Sequence, residues 1–185
     1  PDGLANVSRN EQEAEAVDES QTTETENKIT LDASGNAAAG DQSTENKTAE
    51  PSTLDELFGG ENLSVTYTGA EIAANYMEGG YYSLDAEQGK TFVIVGIDIT
   101  NSGAEEIAID NFAKTPKFSV MVNGQEKAEE ENTILPSDFA LYQETVPAGV
   151  TENTILLFQV PDSVTSVDSL DLFVNISGTN YQITL

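Results

Sequence analysis

Gly89-Lys90-Thr91 has the residue types of a phosphate-binding loop. Such a loop needs another glycine five positions before its second one, and it must open a helix so that backbone N–H groups converge on phosphate. Leu84 occupies that first position, and Thr91 leads into Phe92-Val-Ile-Val95, which is a strand pattern. Gly89-Lys90 therefore reads as a turn before a strand. The chain has no histidine and no cysteine, which removes serine triads, cysteine nucleophiles and histidine-held zinc. A pair of carboxylates of the kind that cleaves glycosides is available in a chain with 33 acidic residues, but there is no tryptophan to serve as a sugar-stacking platform. No catalytic residue is assigned, no cofactor is expected, and the expectation is a protein that is not an enzyme.

Two acidic loops, Glu129–Asn132 and Asp162–Asp168, could offer the six to eight oxygens that calcium takes. Neither has the spacing of an EF-hand, and charge runs are ordinarily solvated faces. That reading is preferred, with calcium kept as an alternative and no metal ligand assigned. The aromatic cluster Tyr76-Met77-Glu-Gly-Gly-Tyr81-Tyr82 is the candidate binding site. Tyrosines supply rigid, amphipathic contact area at low entropy cost, which suits a protein or glycan ligand. The competing role for Tyr76, Tyr81 and Tyr82 is to cover the edge of the domain that carries them.

The elements that must position these residues are strands. Leu63 to Thr68 alternates, with Val65 and Tyr67 on one face. Phe92-Val-Ile-Val-Gly-Ile-Asp-Ile99 is apolar on both faces and then alternates, as a central sandwich strand does. Ile107 and Ile109 lie on one face of the next strand. Phe118, Val120 and Val122 alternate into Asn123-Gly124, a type I′ hairpin signal. Ile155 to Val160 is a second central strand, stopped by Pro161. Leu170 to Ile176 forms a further strand, turned by Gly178-Thr-Asn180 into a last strand at Tyr181–Leu185. With turn signals throughout and no long helical pattern, the fold class is all-β, a sandwich of about eight strands.

Where the domain begins follows from composition. All thirteen aromatic residues lie at or after Phe58, and a segment without aromatic anchors cannot bury enough apolar surface to offset its ordering entropy. Residues 1–52 are therefore expected to be a disordered acidic linker, and 53–185 a single domain. Thr53-Leu-Asp-Glu56 matches a capping box, which predicts a short helix over 53–58 ended by Gly59-Gly60. The net charge is −26, and the only bases after residue 57 are Lys90, Lys114, Lys117 and Lys127. Four scattered lysines make no basic stripe, so nucleic acid is excluded as a partner, and anionic lipid headgroups would repel the domain.

The stretch Gly89-Lys-Thr-Phe-Val-Ile-Val-Gly-Ile-Asp-Ile-Thr-Asn-Ser-Gly103, continuing to Ile109, resembles the strand-and-turn signature of an immunoglobulin-like domain family. That family is widespread in bacterial exported lipoproteins and includes a mycobacterial secreted immunoprotective antigen. Val146-Pro-Ala-Gly-Val150 and Thr154-Ile-Leu-Leu-Phe-Gln-Val-Pro161 resemble its second block, with Ala148 inserted between Pro147 and Gly149. The resemblance covers about residues 61–185 and implies an immunoglobulin-like sandwich. It further implies a lipid-bearing cysteine upstream of Pro1, extracellular or cell-surface display, and no membrane insertion of the chain itself. The functional expectation is a surface-displayed binding or adhesion module. The alternative is an accessory domain of an envelope complex with no ligand of its own.

Overall fold

The computed structural model describes residues 49–125 and 127–185. The expectations for the acidic linker before residue 49 lie outside the described residues. The fold is a β-sandwich. A five-stranded sheet has the order β1-β12-β11-β7-β8, and a three-stranded sheet the order β10-β5-β2. Its strands are β1 (Glu50–Ser52), β12 (Thr179–Ile183), β11 (Leu170–Ile176), β7 (Lys117–Val122) and β8 (Ala128–Glu129) in the first sheet. The second contains β10 (Thr151–Pro161), β5 (Lys90–Asn101) and β2 (Leu63–Ala73). Two separate pairs complete the set: the hairpin β3 (Asn75–Glu78) with β4 (Tyr82–Asp85), and β6 (Ile107–Ala108) with β9 (Thr145–Val146). Several of these strands span two to four residues, too short to leave a periodic signal, which is why the sequence suggests fewer.

The core follows the alternation. Val93, Val95, Ile97 and Ile99 of β5 and Leu156, Phe158 and Val160 of β10 face Phe118, Val120 and Val122 of β7 and Leu172 and Val174 of β11. On the opposite face of β5, Phe92 and Ile94 are also buried. They form a second cluster with Leu157 and Leu135, over which Tyr76, Leu84 and Ala73 pack. The hairpin β3–β4 is what makes the start of β5 apolar on both sides. Beyond Gly96 the outer face is only partly covered, and the strand returns to alternation at Asp98 and Thr100.

The sheet reaches further toward the N-terminus than the capping box. Glu50–Ser52 pairs in parallel with β12, Glu50 opposite Tyr181 and Ser52 opposite Ile183, and the Thr184 N–H donates to the Ser52 carbonyl at 2.8 Å. Pro51 suits a strand at a sheet edge, where no ladder N–H is needed from it. Helix α1 (Leu54–Phe58) follows with both halves of the capping box formed. The Glu56 N–H donates to Thr53 Oγ1 at 3.1 Å, and the Thr53 N–H to Glu56 Oε2 at 3.0 Å. Gly59 ends the helix in extended rather than left-handed geometry. Its glycine is required by crowding: a Cβ there would lie 2.5 Å from the Asp55 carbonyl oxygen.

The C-terminal hairpin turns at Ser177-Gly178, both at positive φ (52° and 84°), so β12 begins at Thr179, two residues earlier than expected. Asn123 and Gly124 are likewise both at positive φ (52° and 68°), the geometry a type I′ turn demands. Gly89 sits at φ 79° directly before β5, in the turn its sequence suggests.

Candidate functional site

The hairpin β3–β4 lies across the outer face of the three-stranded sheet. Its register, Tyr76 opposite Leu84 and Glu78 opposite Tyr82, puts those four side chains on one face and Met77 with Ser83 on the other. Tyr76 is turned inward. It packs on the Phe92–Ile94–Leu157 cluster, and its hydroxyl lies 3.4 Å from Ser137 Oγ. It also walls a groove of about 360 Å³, floored by Ile94, Gly96 and Ile155 and closed by Glu71.

The hairpin turn is made by Gly79 and Gly80, both at positive φ (58° and 74°), and it leaves Tyr81 projecting with 93% of its surface exposed. Met77 is 64% exposed and Tyr82 44%. The three tyrosines thus divide by role: Tyr76 is a packing residue on the sheet, while Tyr81 and Tyr82 stand at the free end of the hairpin.

A residue outside the tyrosine cluster joins them. Ser137 Oγ donates to Glu78 Oε2 at 2.7 Å, which ties the hairpin to the segment 133–138. On that segment Ile134 is 87% exposed, while its neighbour Leu135 is buried beneath the hairpin. Sequence reasoning passed over Ile134 because it follows the acidic run Glu129–Asn132. The available signal was the pair Ile134-Leu135, only one of which a chain reversal can bury. Two cross-linked elements therefore present Tyr81, Tyr82, Met77 and Ile134 to solvent. Single exposed apolar residues are commonplace; these four stand on two elements joined by the Glu78–Ser137 hydrogen bond, with Met77 on the hairpin face opposite Tyr82.

Of the two acidic loops, the first departs from the solvated-face expectation and the second keeps its aspartates in water. In Glu129–Asn132 only Glu129 and Asn132 are exposed; the Glu131 N–H donates to the Leu157 carbonyl at 2.8 Å, and Glu130 turns inward. The solvated-face reading fails at Glu130 because residues 128–131 cross from one sheet to the other. Ala128 and Glu129 pair with β7, while Glu130 bridges to Phe158 of β10. Burial and the charge of Asp138 push the Glu130 carboxyl up to about 9. Burial also raises Asp138, whose oxygens accept from Thr133 Oγ1 and from the Ala140 N–H.

In the other loop, Asp162 and Asp168 are exposed, and Asp168 Oδ2 accepts from Ser166 Oγ at 3.1 Å. Among the described residues no group of three or more acidic side chains is gathered to hold a metal. Among them, too, no helix is long and apolar enough to cross a membrane.

A second cleft, of about 450 Å³, lies near the crossing segment, with Lys90, Lys127, Glu129 and Glu131 on its walls and Val160 and Val164 among its apolar residues. Lys127 Nζ sits 3.3 Å from the centroid of the Phe173 ring, so its charge is directed at that face. Neither Glu130 nor Asp138 lines this cleft or the groove beside Tyr76.

No protein-family model matches the chain, and no curated protein does. Solved structures resemble it at low identity. A β-sandwich protein of uncharacterized role from Clostridium difficile 630 matches with TM-score 0.43 and 18% identity, over 67% of this chain and 85% of that one. A conserved hypothetical protein from Bacillus anthracis matches with TM-score 0.37 and 12% identity, over 66% and 88%. A candidate lipoprotein (ycdA) from Bacillus subtilis subsp. subtilis str. 168 matches with TM-score 0.36 and 11% identity, over 66% and 36%. At these scores the likenesses add nothing to the fold read from the strands, and the family resemblance of residues 89–109 and 146–161 stands on those residues alone.

Proposed function

We propose that this chain is a non-catalytic binding module of a bacterial exported lipoprotein, displayed outside the cytoplasm and engaging its partner through the free end of the β3–β4 hairpin. The observation that carries the reading is the joint exposure of Tyr81 and Ile134 on two elements held together by the Glu78–Ser137 hydrogen bond. Side chains of that size left in water on a braced support offer contact area at little ordering cost. Display from an envelope is supported by the acidic, low-complexity residues 1–52 and by the strand-and-turn resemblance of the domain.

The absence of histidine and cysteine supports the non-catalytic part of the reading. So does the position of the two carboxyls with raised pKa. Neither lines the cleft or the groove, and Glu130 Oε1 is enclosed in protein. The competing accessory role, without a ligand, would leave the hairpin tip idle. Alanine replacement at Tyr81 and Tyr82 separates the two. An unchanged melting temperature with lost partner binding supports the module, and unaltered binding removes it.

A further inference from the structure

The charge around the exposed patch is one-sided. Residues 71–87, which contain the hairpin, and residues 129–138, which contain Ile134, hold acids and no lysine or arginine. Of these acids Glu71, Asp85, Glu87 and Glu129 are solvent-exposed. Of the domain's four lysines, Lys90 and Lys127 line the same cleft as Glu87, Glu129 and Glu131, and neither lines the groove beside Tyr76. Lys90 opens β5, Lys117 opens β7, Lys127 covers Phe173, and Lys114 donates to the Leu57 carbonyl at 2.9 Å. An apolar tip on a domain whose residues after 57 hold 19 acids against four lysines attracts cationic surfaces and repels anionic ones.

Shape narrows the choice further. Tyr81 stands on a tight turn with 93% of its surface in water, so the patch protrudes. Small molecules and sugars are held in concave sites that enclose most of their surface. A protruding aromatic instead enters a pocket on a partner, as buried anchors do at protein interfaces. Neutral glycans would also draw nothing from the negative field.

We infer that the hairpin tip docks into an apolar pocket ringed by lysine or arginine on a partner protein, with Tyr81 and Ile134 as anchors and the acidic excess of the domain as the complementary charge. This rests on the binding-module reading above and adds the chemistry of the partner.

The test uses the full 185-residue chain and three probes in titration calorimetry. These are a short synthetic peptide with a leucine face flanked by lysines, the same peptide with serine for lysine, and cellohexaose. Tyr81→Ala and Ile134→Ser alter exposed positions and should leave the melt unchanged, and neither removes a charge, so general attraction between a polyanion and a cationic peptide survives both. The expected result is binding of the lysine peptide alone, weakened about tenfold by Tyr81→Ala. Raising NaCl from about 0.05 to about 0.5 M should weaken it by a similar factor. Equal binding of the serine peptide, or binding of cellohexaose that Tyr81→Ala abolishes, overturns the cationic partner and leaves the binding module standing. Lysine-peptide affinity that is the same in Tyr81→Ala and Ile134→Ser as in the parent, or no binding by any probe, overturns both.

Discussion

The Glu130 carboxyl lies in the field of the Asp138 carboxylate, and its Oε1 is buried without a hydrogen-bond partner among the described residues. Both groups sit where the chain passes from the five-stranded sheet to the edge of β10. The native state holds a proton on Glu130 up to pH about 9, whereas the unfolded chain loses it near 4.5. Between those values unfolding releases a proton, so stability falls as pH rises, by about 1.4 kcal/mol per pH unit for a group acting alone. The raised Asp138 acts in the same direction. The urea midpoint should therefore decline from pH 5 to pH 9, and Glu130→Gln should flatten much of that slope. A midpoint that is level or rising over this range would show that Glu130 is ionised in the fold.

Helix α1 is fastened at three points. Its capping box closes on Thr53 and Glu56, the Asp55 carboxylate accepts from the Val65 N–H at 2.8 Å, and Phe58 is buried between Phe118 and Phe139 with ring centroids 5.8 and 5.0 Å away. Thr53→Ala should cost about 1 kcal/mol through the lost cap. Phe58→Ala should cost about 3–5 kcal/mol, because it opens a cavity in a packed aromatic cluster. Denaturant unfolding of the two variants checks the order. A Thr53→Ala loss equal to or larger than that of Phe58→Ala would mean that the helix is held by its cap rather than by its docked ring.

Gly96 marks where β2 bulges over β5. The pairing slips between Tyr67 and Gly69, and a Cβ at position 96 would collide with Thr68 Oγ1 while lying 3.8 Å from Thr68 Cβ. Gly96→Ala should destabilise by about 1–3 kcal/mol through overpacking. Thr68→Ala added to it removes the clashing atom and should restore most of the loss. If the double variant is no more stable than Gly96→Ala, the glycine serves some purpose other than clearance for Thr68.

The strands with a long apolar signal were legible in the residues: β5, β7, β10 and β11 stand where their alternation puts them. What the sequence could not carry is contact between elements far apart along the chain. Glu50-Pro51-Ser52 has no strand pattern and becomes one only by pairing with β12 at the other end of the domain. Glu130 looks like its neighbours Glu129 and Glu131, and only the crossing between sheets singles it out for burial. The tyrosine cluster was visible as a cluster. Its division into a packed Tyr76 and a projecting Tyr81 depends on which face of β3–β4 meets Phe92 and Ile94, and the segment carrying Ile134 meets the hairpin through Ser137, which contacts Glu78 and Tyr76, and through the buried Leu135.

The central claim is that the hairpin tip and Ile134 form the contact surface, and a map of backbone amide shifts during titration with the lysine-flanked leucine peptide tests it most directly. The largest changes should fall on residues 77–82 and 133–137 and should be markedly smaller in Tyr81→Ala at the same peptide concentration. Changes centred on the cleft that holds Lys90 and Lys127, or persisting undiminished in Tyr81→Ala, would contradict it.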